Sequence, residues 1–148
     1  MIDESIKFFG INIAILTISD TRNFDNDKSG STLRKLVEDC GHKCILRDIV
    51  KDEPKELLST FNKWTNNKNL DVIISTGGTG LTGRDITVDV LETYFDKKID
   101  GFGELFRFLS YKKIGTSTIQ SRAIAGTKNG KYISVSYTHL TLPTNSNV

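Results

Sequence analysis

The chain has 148 residues, 37% of them hydrophobic, with 20 basic and 18 acidic side chains for a formal net charge of +2; that is enough for one domain burying roughly two-thirds of its unfolded surface without disulfide or metal staples. The near-neutral balance gives no electrostatic reason to bind nucleic acid or an anionic membrane. Acids at Asp3 and Glu4 stand where a signal peptide is basic, and the run from Ile11 to Leu16, broken by Asn12, is too short to span a bilayer, so a cytoplasmic location is expected.

Ile11 to Ile18 reads as a buried strand ending in the polar turn Ser19-Asp20-Thr21-Arg22. Leu33, Leu36 and Val37 have helical spacing, with Ser29 or Ser31 as the expected N-cap and Gly41 as the stop. Cys40 is expected to close that helix and Cys44 to open a second strand running to Val50, the two as buried thiols and not metal ligands. Lys51-Asp52-Glu53-Pro54 opens a helix with Leu57, Leu58, Phe61 and Trp64 on one face, before a third strand from Val72 to Ser75. The order β-α-β-α-β predicts a parallel sheet covered by helices on both faces, because right-handed crossovers place them there. Ligands of such sheets bind outside the carboxyl ends of the strands, where Ser19, Asp20, Asp52 and the loop at Gly77 converge.

The third strand empties into Thr76-Gly77-Gly78-Thr79-Gly80, followed by Leu81-Thr82-Gly83-Arg84-Asp85. Glycines let several main-chain N–H groups turn toward one anion, which makes phosphate the natural guest. Two generic patterns fail here. Gly78 to Gly83 satisfies the dinucleotide fingerprint, but the segment Lys97 to Gly101 offers no second strand carrying a ribose-binding acid. A phosphate-binding P-loop would need Lys and Ser or Thr where Arg84 and Asp85 stand. Asp52 and Asp85 each have two readings, a helix cap or a magnesium ligand; two acids on one edge beside a glycine loop favour a magnesium-nucleotide site.

Downstream, a helix is expected from Thr87 to Phe95, and a further amphipathic one through Phe102, Leu105, Phe106 and Leu109. A short helix is expected from Thr118 to Ala125, and a late strand from Lys131 to Val135. Arg84, Arg107 and Arg122 are candidate anion contacts, with Ser117 and Ser121 as candidate donors; Phe102, Phe106 and Phe108 are read as a core layer or a subunit contact. From Ser134 to Val148 no Asp, Glu, Lys or Arg occurs. Val135 to Thr144 resembles the translation of a transposase-based sequencing adapter, so 134–148 is expected to be a non-native tail on a domain spanning 1–133.

Leu16 to Arg22, Asp27-Lys28-Ser29-Gly30, Ile49-Val50-Lys51-Asp52, the Thr76 to Gly80 loop and Arg84-Asp85 together closely resemble the MoaB/MogA family, as do Gly101 to Arg107, Ile114 to Ser117 and Ser121-Arg122-Ala123. The resemblance covers about residues 8 to 133 and is closest to the MoaB branch. It implies a three-layer α/β/α domain with a mostly parallel sheet, usually a homotrimer. Such a domain binds molybdopterin and activates it with ATP and Mg2+ to give adenylylated molybdopterin and pyrophosphate, with hand-over to a molybdenum insertase. The family's two essential acids map onto Asp52 and Asp85, both catalytic and metal-binding. Its glycine loop maps onto Thr76, Gly77, Gly78, Thr79 and Gly80, and its Asp-x-Ser-Gly segment onto Asp27 to Gly30 with Ser29; Ser19 and Asp20, from the shared edge, and Ser121 and Arg122, from the candidate anion contacts, complete the expected binding set. The same resemblance admits a non-catalytic molybdopterin-binding or assembly protein. Where the family carries Pro-Gly-Ser and a C-terminal helix after its last strand, this chain has Tyr137-Thr138-His139.

Overall fold

The computed structural model describes residue 3, residues 5–79 and residues 86–137. Strands β1 (Asn12–Ile18), β2 (Lys43–Val50), β3 (Val72–Thr76), β4 (Lys97–Lys98), β5 (Ile124–Lys128) and β6 (Lys131–Ser136) form a six-stranded sheet in the order β2-β1-β3-β6-β5-β4. The four strands from β2 to β6 are mutually parallel, and only β5 runs against its neighbours. The helices are α1 (Lys28–Asp39), α2 (Pro54–Thr65), α3 (Thr87–Tyr94) and α4 (Asp100–Ile114).

Alternation along β1 shows why the sheet must be covered twice. Ala14, Leu16 and Ile18 join Leu57, Phe61 and Trp64 of α2 and Val88 and Leu91 of α3, together with Ile73, Ile133 and Val135. Ile13 and Ile15 point the other way, toward Leu33 and Val37 of α1. Successive strand side chains face opposite sides, so a strand apolar throughout is stable only between two helical layers. Each large side chain fully buried here, such as Phe61 or Leu91, contributes about 1.5–3 kcal/mol.

Several sequence expectations need correction. The N-cap of α1 is Asp27, not Ser29 or Ser31: its side chain accepts from the Gly30 N–H at 3.0 Å. Cys40, the C-cap of α1, is exposed and not buried. Gly41 follows at φ +88°, with its N–H on Glu38 O and the His42 N–H on Val37 O, the paired bonds of a Schellman stop. Thr118 to Ala125 is not a helix: a 3₁₀ segment, Gly115–Gln120, gives way to β5. Asn129 and Gly130, at φ 52° and 77°, close a hairpin between β5 and β6, and this Asn-Gly turn was the signal for a strand on both sides of it. The Lys97 to Gly101 segment does contain a strand, the two-residue edge pair β4, antiparallel to β5. β6 continues through Ser136, past the compositional change at Ser134, with Val135 wholly buried.

Asp27 is the hinge between α1 and the sheet. Only 1% exposed, it accepts from the Thr17 hydroxyl at 2.8 Å and pairs with Arg47 Nη2 of β2 at 3.0 Å. Arg47 Nη2 also reaches the Asp27 carbonyl and the Ser31 hydroxyl. Gly30 has no alternative, because a Cβ there would collide with the Asp27 carboxylate and lie 2.8 Å from Thr17 Oγ1. Burial pushes the Asp27 carboxyl up, but the Gly30 N–H, the Thr17 hydroxyl and Arg47 outweigh it and hold it below the ordinary carboxylate value.

Removing this carboxylate leaves Arg47 half-satisfied inside the protein, so Asp27→Ala is expected to cost roughly 3 kcal/mol in urea unfolding at pH 7. Because the folded-state value lies below the unfolded one, the stabilisation is complete above about pH 4 and is lost as pH falls through the folded value. The gap between wild type and variant should therefore be flat from pH 7 to 5 and narrow below pH 4; a gap unchanged down to pH 3 would contradict this role.

Candidate active site

The parallel register lines up the strand ends: Thr17 lies between Ile49 of β2 and Thr76 of β3, and Thr76 is level with Ser136 of β6. The polar loops therefore leave from one edge, as the strand order predicted. Ser19 ties the β1 loop down, its N–H donating to Val50 O at 2.8 Å while its hydroxyl oxygen accepts from the N–H groups of Thr21 and Arg22. Asp20 Oδ1 accepts from the Asp52 N–H at 3.2 Å, which brings the two acidic loops side by side.

The glycine loop meets them. Gly77, at φ +104°, donates its N–H to Ser136 O, and a Cβ there would collide with Ile18 O. Gly78, at φ +68°, lies so close to Thr87 that a Cβ would strike its hydroxyl and stand 3.2 Å from Asp52 Oδ2. Both positions demand glycine for conformation and for space. The Thr87 hydroxyl, wholly buried in the first turn of α3, donates to Asp52 Oδ1 at 2.9 Å. Asp52 is not a helix cap: the N-cap of α2 is Glu53, which makes no side-chain capping bond.

A cavity of about 200 Å³ opens at this edge, lined by Thr17, Ser19, Arg22, Ser29, Gly77 and Tyr137 among others. A larger hollow, about 450 Å³, lies beside α2 and is bordered by Lys51, Lys55, Glu56, Ser59 and Thr60; among the described residues, none of the predicted site residues lines it. Of those residues, Ser19, Ser29, Thr76 and Gly77 line the smaller cavity. Asp20, Asp52 and Gly78 are linked as described, and Thr79 is buried. Asp27 and Gly30 form the buried joint beneath Thr17. Gly80, Arg84 and Asp85 lie outside the described residues.

Ser121 and Arg122 do not line this cavity. Arg122 makes a two-bond ion pair with Asp89 of α3, at 2.6 and 3.2 Å, whose hydrogen bonds hold the Asp89 carboxyl below its ordinary value. The Ser121 hydroxyl accepts from the Ala123 N–H. Arg107 donates to the carbonyls of Ser121 and Ala123, bracing the entry to β5 and not facing an anion. Sequence reasoning missed Thr87 and Arg47, because nothing local ties either to a carboxylate 35 or 20 residues away. The Asp27 cap was available from its position ahead of an amphipathic run. Among the described residues no helix is long and apolar enough to cross a membrane.

Residues 14–147 match the family described as "Probable molybdopterin binding domain". Molybdenum cofactor biosynthesis protein B of Staphylococcus aureus (strain COL) is 45% identical over 126 residues, 83% of this chain and 74% of that protein. Its Escherichia coli (strain K12) namesake is 41% identical over 129 residues, 87% of this chain and 76% of that protein. A crystal structure of a molybdenum cofactor biosynthesis protein B superposes with a TM-score of 0.85 at 38% identity, covering 93% of this chain and 88% of the other. The tungsten cofactor synthesizing protein MoaB from Pyrococcus furiosus does so at 0.72 and 32%, covering 85% and 79%. With the parallel sheet, the glycine loop and Asp52 on one edge, these likenesses agree: the chain belongs to the MoaB/MogA family of molybdenum cofactor biosynthesis proteins.

Proposed function

We propose that this chain is a nucleotidyltransferase that adenylylates molybdopterin, consuming ATP with Mg2+ and releasing pyrophosphate. The observation that carries the reading is Asp52, held at the carboxyl edge of the sheet by Thr87 and packed against Gly78, whose missing side chain lets the glycine loop lie directly beside the carboxylate. A phosphate oxygen of molybdopterin attacks the α-phosphorus of ATP, a P–O bond forms, and the bond to pyrophosphate breaks. Such a transfer asks little nucleophilic chemistry of the protein; it asks for alignment and neutralisation of charge.

The donor set suits magnesium, which typically takes one or two carboxylates and completes its shell with water and substrate phosphates. Asp52 and Asp85 would hold it, and it would supply neutralisation of the phosphate charge. Gly77 and Gly78 would carry the main chain of the loop toward the phosphates, with the Gly77 N–H itself anchored on Ser136 O. Ser19, Thr76 and Ser29 line the cavity that receives the substrate, and Asp27 keeps the α1 N-terminus and Thr17 in place beneath it. Ser121 and Arg122 stay in this proposal as a more distant contact, Arg122 by exchanging Asp89 for a substrate anion.

The same reading makes the protein cytoplasmic and trimeric, handing its product to a molybdenum insertase. Support for self-association lies on α4, where Leu105, Phe108 and Leu109 are 59%, 63% and 51% exposed at spacings that form one outward stripe. Phe102 and Phe106 are half-buried and stack on each other, at 6.0 Å between ring centroids.

With molybdopterin, ATP and Mg2+ the protein should release pyrophosphate and adenylylated product. Asp52→Ala and Asp85→Ala should each lower turnover at least a hundredfold while changing stability by only about 1 kcal/mol, the scale of one hydrogen bond or cap. Binding of molybdopterin with no product from wild type would favour an assembly role instead. In sedimentation at micromolar concentration a trimer is expected, and Leu105→Glu combined with Phe108→Glu should dissociate it; a wild-type monomer would remove the proposed interface.

A further inference from the structure

We propose that Thr87 is a positioning residue that locks the Asp52 carboxylate for magnesium-nucleotide binding, an inference that rests on the function proposed above. Three observations converge on it. The Thr87 side chain is wholly buried, yet its hydroxyl is spent on Asp52 Oδ1, 35 residues away, at 2.9 Å. That bond joins the first turn of α3 to the loop after β2. The N-cap of α3, Ile86, makes no side-chain capping bond, so the hydroxyl at the following position serves the neighbouring loop and not its own helix. Finally, Gly78 is pressed against both partners: a Cβ on it would collide with Thr87 Oγ1 and lie 3.2 Å from Asp52 Oδ2.

The physical consequence is a three-part latch. A carboxylate at the mouth of a loop can rotate about two bonds, and each rotamer presents its oxygens differently. A charge-assisted donor on Oδ1 selects one orientation and leaves Oδ2 on the glycine-loop side. The main chain at Gly78 can then approach the same carboxylate without a side chain between them. Thr87 need touch neither substrate nor metal to do this; it acts through Asp52.

The test compares Thr87→Val, which keeps the shape and removes the donor, with Thr87→Ser, which keeps the donor. Calorimetric titration of the full chain with ATP and Mg2+ supplies a readout independent of turnover. Losing one hydrogen bond to a charged group should weaken Mg2+-dependent ATP binding roughly tenfold in Thr87→Val. Thr87→Ser should stay within about twofold of wild type. In an Asp52→Asn background Thr87→Val should add nothing, because its effect passes through that carboxylate. In turnover assays the loss should appear in KM for the magnesium nucleotide more than in kcat. If Thr87→Val does not fold, Thr87→Ala against Thr87→Ser carries the same comparison. Equal affinities for wild type and Thr87→Val, or a full effect of Thr87→Val in the Asp52→Asn background, would overturn the positioning role while leaving the nucleotide site standing. A wild type that binds no ATP with Mg2+ would overturn the nucleotide reading, and the positioning role with it.

Discussion

Thr17 sits level with Ile49 on one side and Thr76 on the other, and the rest of the molecule depends on that row. A parallel register keeps the carboxyl ends of β2, β1 and β3 together, so the chain after each strand must leave over the same edge. The apolar strands pay for this arrangement by requiring cover on both faces, which α1 supplies on one side and α2 and α3 on the other. Once the sheet is so clad, its edge is the place where polar main chain and acids can gather without being buried. Asp20, Asp52 and the glycine loop gather there.

The protein divides its carboxylates between two tasks. Asp27 and Asp89 are committed to arginines, Arg47 and Arg122, and both sit below the ordinary carboxylate value. The first pair is nearly sealed and joins α1 to the sheet; the second lies in solvent, where such a pair adds little to stability. Asp52 instead stands at the open edge of the sheet, where the Thr87 hydroxyl donates to its Oδ1 and orients it.

Much of this was legible in the chain. The strand and helix order through β3 followed from runs such as Ile11 to Ile18 and from the apolar face of Leu57, Leu58, Phe61 and Trp64, because periodicity records burial directly. The shared edge followed from that order. The region after α4 was misread because Thr118 to Ala125 has no strong period, while the informative turn, Asn129-Gly130, lies beyond it. The tertiary partners of Asp52 and Asp27 were illegible for a different reason. Thr87 and Arg47 reach their carboxylates across elements, and a single sequence carries no mark of which side chains will meet. Sequence reasoning placed Asp27 in a binding motif; the structure shows that the motif is also a helix cap and an ion pair that Gly30 makes possible.

The central claim is that a magnesium nucleotide binds at this edge of the sheet and not in the larger hollow beside α2. Titrating isotopically labelled protein with ATP and Mg2+, and following the backbone amide signals, tests it residue by residue. The account predicts shifts concentrated at Ser19, Asp20, Asp52, Gly77, Gly78 and Thr87. Shifts confined to Lys55, Ser59 and Thr60, or none at millimolar nucleotide, would contradict it.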